Sequence, residues 1–315
     1  MKLNIIGNKK WFLALSAVFM TLSIVAIAVF GFTPGIDFTS GTMWQVAIPD
    51  TNERAVREFA ENDLGLDSPV ISYDAGTESY VLIFREIAGA EHVAFKESLL
   101  ARFPQAQELD FGTTSPSVSA ELINRAIWLV ALVVAFILLY VTYTFRKVSW
   151  PVKSYKYGFV TLVALTHDTL IAAGFFAIIG HFYGVPMGTY FIVALLTVAG
   201  FSVQDTIVIF DRIREKLLGQ KEKVDFAETA NKSLNEVFMR SLITATGIMI
   251  ALLAISIFGP LSMRYFALTM LVGMFFGTYS SIFVATPLLT LWHNFDSKRQ
   301  AANLAAQNPV KQESL

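Results

Sequence analysis

The stretch that decides the fold is "GFSVQDTIVIFDRIRE", residues 200–215. It closes an apolar run, "TYFIVALLTVAG" at 189–200, and places one carboxylate, Asp205, inside apolar sequence. Asp211 and the charge-rich "DRIRE" begin six residues later. A helix crosses the hydrocarbon core of a bilayer with roughly 20 mostly apolar residues. An aspartate near the centre of such a span costs about 2.5–3.5 kcal/mol on insertion scales, and it normally faces a bundle interior or a wet cavity. Whether Asp205 is such a residue depends on the rest of the chain.

The 315 residues are 54% hydrophobic and 16% charged, with 27 phenylalanines and a mean hydropathy of +0.54. Soluble domains carry about a quarter charged residues, so the composition points to an integral membrane protein. A net charge of −1 gives no electrostatic footprint for nucleic acid. The absence of cysteine excludes disulfides and thiol chemistry and leaves the compartment open.

Six runs are long enough to span, near residues 11–30, 126–145, 157–180, 189–210, 241–258 and 265–292. The last contains Pro287, which is expected to kink it or end it early. Lys2, Lys9 and Lys10 precede the first span; Arg146, Lys147, Lys153 and Lys156 follow the second. Arg212, Arg214, Lys216, Lys221, Lys223 and Lys232 follow the fourth, and Lys298 and Arg299 the sixth. The alternate connections, "HFYGVPMG" and "GPLSMR", are nearly uncharged. With six spans every basic flank falls on one side, and positive flanks stay in the cytoplasm. Both termini are therefore expected there. The first span is long for a cleavable signal and no A-x-A site follows it, so it reads as an uncleaved anchor.

The expected organisation is a cytoplasmic N-terminus with the first span (1–32), a periplasmic domain (33–121), a five-helix membrane region (122–293) and a disordered cytoplasmic tail (294–315). In the domain, "TMWQVAI" alternates like a strand, and "DTNERAVREFAENDLG" has helical spacing and a capped start. "PVISYD" and "ESYVLIFREI" read as strands joined by a turn, "AEHVAFKESLLARF" as a second helix, and "AQELDFG" as a last strand. This β-α-β-β-α-β order is the ferredoxin-like pattern. The domain is acidic, which a solvated surface explains as well as a binding face does. His92 stands alone in an amphipathic helix, read as a surface or boundary residue rather than a ligand.

The polar residues inside the spans are His167 and Asp168, Gln204 and Asp205, and Arg240 at the start of the fifth. Asp168 lies about 16 Å into its span and Asp205 roughly 8 Å from the cytoplasmic end of its own. Ser202 shares a helix face with Asp205 and is placed to support it with a hydrogen bond. Gln204 points about 100° away from Asp205 and suits a bond between helices. Arg240 can snorkel outward or reach in toward a carboxylate. A permanent ion pair of Asp205 with a neighbouring helix remains open, as does a purely structural role for His167 and Asp168. Asp211 belongs to the charged membrane face. Gly273 and Gly277 form a G-x-x-x-G, a spacing that permits close helix contact.

Several enzyme classes lack their motifs. There is no H-E-x-x-H, no G-x-x-x-x-G-K-[ST], no G-x-G-D and no G-x-S-G in a span. No catalytic residues, metal site or cofactor are expected. Proton chemistry remains. A carboxyl group in low dielectric holds its proton, and a nearby arginine loosens it. A conformational change alternating the two environments turns the carboxylate into a proton carrier, as in pumps and transporters.

Three segments carry a family resemblance: "GIDFTSGT" after the first span, "HDTL" in the third, and "GFSVQDTIVIFDRIRE" with "NKSLNEVFMRSLITATG" leading into the fifth. With the six-span layout and one modest insertion, the chain resembles the bacterial protein-export family SecF, of the SecD/SecF type, and half of an RND-type transporter. The resemblance implies a partner SecD, the SecYEG channel and a translocating preprotein, with the proton motive force as energy source, in the lipid of the inner membrane. It also implies Asp205 and Arg240 as proton-pathway residues. Ser40, Ser115 and Ser119 stand where the family has glycine. Two other readings remain: an RND-type half-transporter for a small or lipid substrate, and a scaffold with a fixed Asp205–Arg240 pair.

Overall fold

The computed structural model describes residues 4–74, 77–146, 152–219, 225–259 and 261–307. The flanking lysines Lys2, Lys147, Lys221 and Lys223 lie outside the described residues.

Among the described residues six helices are long and apolar enough to cross a membrane. They are α1 (Lys9–Phe30), α5 (Pro116–Thr144), α6 (Ser154–Tyr183), α7 (Thr189–Gly219), α8 (Phe226–Phe258) and a continuous last helix. That last helix comprises α9 (Leu261–Ser280), a π-helical turn at Ser281–Ala285, and α10 (Thr286–Gln307). Pro287 does not end it. The widened turn falls just before the proline, whose ring and missing N–H strain an α-helical ladder. A disordered tail is expected from residue 294, but α10 continues to Gln307; the remainder lies outside the described residues.

Small residues set how closely these helices approach. A Cβ on Gly174 of α6 would sit 2.5 Å from Cβ of Ser23 in α1, and one on Gly158 would sit 2.6 Å from Thr142 Oγ1 in α5. On Gly273 of α9 it would meet Val198 Cγ2 of α7 at 2.3 Å. Membrane helices gain little from burying apolar surface against one another, so close backbone packing through small residues holds them. The helix α6 is the inner one, with buried residues along its length, while α1 and α5 are mostly exposed. Their outward side chains, among them Trp11, Leu22, Ile127, Trp128, Phe136 and Leu139, form an apolar surface suited to lipid.

Between α1 and α5 lies the α+β domain. It contains a short α2 (Ile36–Thr39), β1 (Gly41–Ala47), α3 (Glu53–Glu58) running into a π turn (Phe59–Asp63), and β2 (Val70–Asp74). It closes with β3 (Ser79–Phe84), α4 (Gly89–Arg102) and β4 (Gln107–Thr114). The sheet order is β2-β3-β1-β4, antiparallel throughout. This is the ferredoxin-like arrangement expected from the element order. Alternation puts Trp44, Val46, Ile71, Tyr80, Leu82 and Phe84 against Val56, Phe59, Phe95 and Leu99 of the helices. Asn52 caps α3 by accepting from Ala55 N–H.

His92 is a packing residue. Its ring stacks on Phe111 at 3.6 Å, and Nε2 lies 2.7 Å from Glu108 Oε2. The same carboxylate accepts from Trp44 Nε1 and Lys96 Nζ. Burial pushes the Glu108 carboxyl up, but these hydrogen bonds outweigh it and hold it below the usual glutamate range.

The three serines expected to stand at glycine positions sit in different backbone settings. Ser40 holds φ +62°, the left-handed region that favours glycine, and its Oγ donates to Thr39 O at 2.5 Å. Ser115 has φ −76° and needs no glycine. Ser119 is buried and donates to Ile36 O at 3.1 Å, joining the start of α5 to α2.

Candidate functional site

Asp168 is fully buried in α6 and is held by three helices. Ser202 Oγ of α7 donates to its Oδ2 at 2.5 Å, and Ser280 Oγ of α9 donates to the same atom at 2.7 Å. His167 Nδ1 lies 2.8 Å from Oδ1. His167 Nε2 is buried with no partner. The polar seam continues along α7 and α9: Ser281 Oγ donates to Ser202 O at 3.3 Å, and Thr206 Oγ1 lies 2.9 Å from Ser281 Oγ. The π turn starts at Ser281, next to Ser280, and π turns often occur at functional sites.

This corrects one expectation. Ser202 serves Asp168, not Asp205. A carboxylate on the facing helix lies within bonding distance, and that contact is invisible to the periodicity of a single helix.

Asp205 sits one turn further along α7, half-buried. It lines a cavity of about 20 Å³ with Ser202, Gln204, Thr244, Gly277 and Thr278. A space of roughly 10–15 Å³ is enough for one water when polar groups surround it. Thr278 lines the same cavity, and Ser241 and Arg240 of α8 face the carboxylate. Ser241 Oγ is buried and makes no hydrogen bond in this arrangement. No ion pair joins Asp205 to Arg240 among the described residues, and Arg240 is exposed. The fixed pair considered from the sequence is therefore absent here.

Gly277 stands between the two carboxylates. A Cβ there would lie 3.6 Å from both Asp168 Oδ2 and Ser202 Cα, and the residue also lines the Asp205 cavity. Ser202 and Gly277 thus form a shared wall. Gln204 is exposed. Asp211 lies 3.4 Å from Arg214, near a cluster in which Arg212 and Lys216 of α7 both pair with Glu236 of α8. Asp211 thus sits in charged company.

Charge within apolar runs singled out the two aspartates, whereas Ser280 and Ser281 were not singled out from the sequence. The adjacent serines of "YSSI", with a proline six residues after the second, were the available hint. Among the described residues no group of three His, Asp or Glu side chains is gathered as for a metal ion.

Comparison with known proteins agrees with this architecture. Residues 94–295 match the family model described as protein export membrane protein SecD/SecF, C-terminal, and residues 25–46 match the SecD/SecF GG motif. The protein translocase subunit SecF of Thermobaculum terrenum is 36% identical over 94% of this chain and 96% of its own length. That of Anaerolinea thermophila is 34% identical over 93% and 94%. The crystal structure of SecDF from Thermus thermophilus superposes with a TM-score of 0.81 at 28% identity, over 93% of this chain and 39% of that one. SecDF in its super-membrane-facing form gives a TM-score of 0.66 over 96% and 40%. The chain therefore spans about two fifths of those longer proteins. It is a multi-pass membrane protein that belongs to the SecD/SecF family of protein-export membrane proteins.

Proposed function

We propose that this chain is a SecF subunit that works with SecD and the SecYEG channel to help preproteins cross the bacterial inner membrane at the expense of the proton motive force. In this reading both termini are cytoplasmic and the α+β domain is periplasmic. Asp205 and Arg240 form the proton pathway, and Asp168 and Ser202 extend it. The observation that carries the reading is Asp205 itself. It is a half-buried carboxylate at membrane depth, with no ion pair among the described residues, beside a cavity that can hold a water.

The physical logic is an alternation. When the cavity is wet and Arg240 is near, the ionised form is favoured; when the helices close and the site dries, the protonated form is favoured. Proton entry from one side and release to the other then drive the change. No covalent chemistry is needed for this cycle.

The SecD partner has its own support. Gln204 and Thr244 are exposed beside Asp205, and polar groups in contact with lipid are costly. A second membrane subunit over this face removes the cost. A relative from Thermus thermophilus is a fused SecDF, 31% identical over 96% of this chain. A preprotein-export assay in SecF-depleted cells tests the reading. Asp205→Asn should assemble normally yet lose export stimulation; full stimulation at an ordinary proton gradient sinks the proposal. Arg240→Met should behave likewise.

A cavity of about 330 Å³ between the sheet and the bundle favours one alternative, a proton-coupled half-transporter for a small or lipid substrate. Co-purification separates the two. SecD and SecYEG support the first reading; an outer-membrane or adaptor partner supports the second.

A further inference from the structure

The helix that carries Asp205 is fastened at its other end. A helix N-terminus leaves backbone N–H groups without partners, and the residue before α7 is Gly188, which has no side chain to cap them. Asp37 of α2 fills that role. Its Oδ2 accepts from both Thr189 N–H at 2.6 Å and Thr189 Oγ1 at 2.7 Å. A Cβ on residue 188 would lie 2.9 Å from that oxygen, so glycine makes the approach possible. The negative charge also complements the helix dipole.

The backbone reinforces the joint. Gly35 N–H donates to Met187 O at 2.9 Å, Met187 N–H donates to Thr33 O at 2.7 Å, and Pro34 and Met187 form a parallel bridge. From Asp37 the chain passes within four residues into β1, the strand between β3 and β4. Ser119 ties the second linker to the same short helix. Strand β2 also meets the end of α6, where a Cβ on Gly184 would lie 2.7 Å from Ser72 Cβ; between these points the sheet faces the bundle across the 330 Å³ cavity, with Met43, Gln45 and Val81 on one side and Tyr190, Phe191 and Phe266 on the other. The domain thus touches the bundle at its rim, not over a continuous face. Tyr265 and Asp74 interact across another part of that rim.

We propose that Asp37 is a positioning residue that fastens the α+β domain to the N-terminus of α7, so that the domain follows this helix. Asp205 lies sixteen residues after Thr189, about 24 Å along the same rod. A displacement of α7 at the carboxylate is thereby delivered to the domain. Its role in export rests on the proton reading; the joint itself does not.

The chain has no cysteine, so spin labels can be placed without removing native thiols. A pair at Glu97→Cys on α4 and Ile257→Cys on α8 reports the domain against the bundle; both sites are exposed. A pair at Leu139→Cys and Ile257→Cys reports the bundle alone. In nanodiscs the full chain should give a narrow domain–bundle distance distribution. Asp37→Ala should broaden and shift it, Thr189→Val should do so in part, and Asp37→Asn, which keeps an acceptor, should fall between. The bundle pair should not move. An unchanged domain–bundle distribution in Asp37→Ala overturns the proposal, and so does an equal change in the bundle pair. Export stimulation should be lost in both Asp37→Ala and Asp205→Asn, with the domain–bundle distribution narrow in the latter. If Asp205→Asn exports normally the proton reading fails, and the distance result still decides the joint.

Discussion

Replacing Gly273 with alanine tests how the buried carboxylate is held. The added Cβ would lie 2.3, 2.7 and 3.1 Å from Cγ2, Cγ1 and Cβ of Val198. Ordinary carbon–carbon contact is about 3.5–4.0 Å, so the closest pair falls short by about 1.2–1.7 Å. Valine in a helix has one strongly preferred χ1 and cannot swing away. The helices α7 and α9 must therefore part. Ser202 lies one turn from Val198 on α7, and Ser280 two turns from Gly273 on α9. Both donate to Asp168 Oδ2, at 2.5 and 2.7 Å, and a separation of about 1 Å carries them to the limit of hydrogen bonding. Overpacking costs about 1–3 kcal/mol, and each buried donor left unpaired adds about 1–3 kcal/mol. Thermal inactivation of the full chain in nanodiscs should show the loss, and Val198→Ala should restore most of it in the double variant. Non-additivity of that kind is the signature of contact. Unchanged stability in Gly273→Ala, or no rescue by Val198→Ala, refutes the packing argument.

The other expectations are briefer. Asp168→Ala leaves Ser202 without its acceptor, His167 Nδ1 without its partner and Ser280 with only the Gly277 carbonyl, so the amount of folded protein in the membrane should fall, more than for Asp205→Asn; equal amounts contradict the network. Glu108 has a folded pKa below its unfolded value. Its stabilisation is therefore present above about pH 4.3 and is lost as pH falls through the folded value. Glu108→Gln should remove that acid-dependent part of the domain's stability, read by hydrogen exchange in β1 and β4; an unchanged acid profile counts against it.

Much of the architecture could be read from residue order. The switch from period two in "TMWQVAI" to helical spacing in "ERAVREFA" marks the domain, and six apolar runs mark the bundle. These are local patterns, and the structure has the corresponding sheet and helices. The site was legible only in part. Asp168 and Asp205 stand out because charge in an apolar run is costly. Their partners do not stand out, because they come from other helices. Ser202 and Ser280 reach Asp168 from 34 and 112 residues away in sequence, and Asp37 reaches Thr189 from 152. Arg240 matched Asp205 by charge and depth, yet its side chain is exposed and forms no ion pair with it. Periodicity reports which face a residue occupies, and packing decides which neighbour that face meets. Pro287 illustrates the same limit: a helix breaker by local rules, it is accommodated after a π turn.

The central claim is that Asp205 changes protonation when the chain works. Infrared difference spectroscopy on the full chain assembled with its partners, with an imposed proton gradient, tests it directly. A carboxylic-acid carbonyl band should appear and disappear with the gradient in the wild type, be missing in Asp205→Asn, and persist in Glu108→Gln. A band that survives Asp205→Asn, or a wild-type spectrum that does not respond to the gradient, contradicts the account.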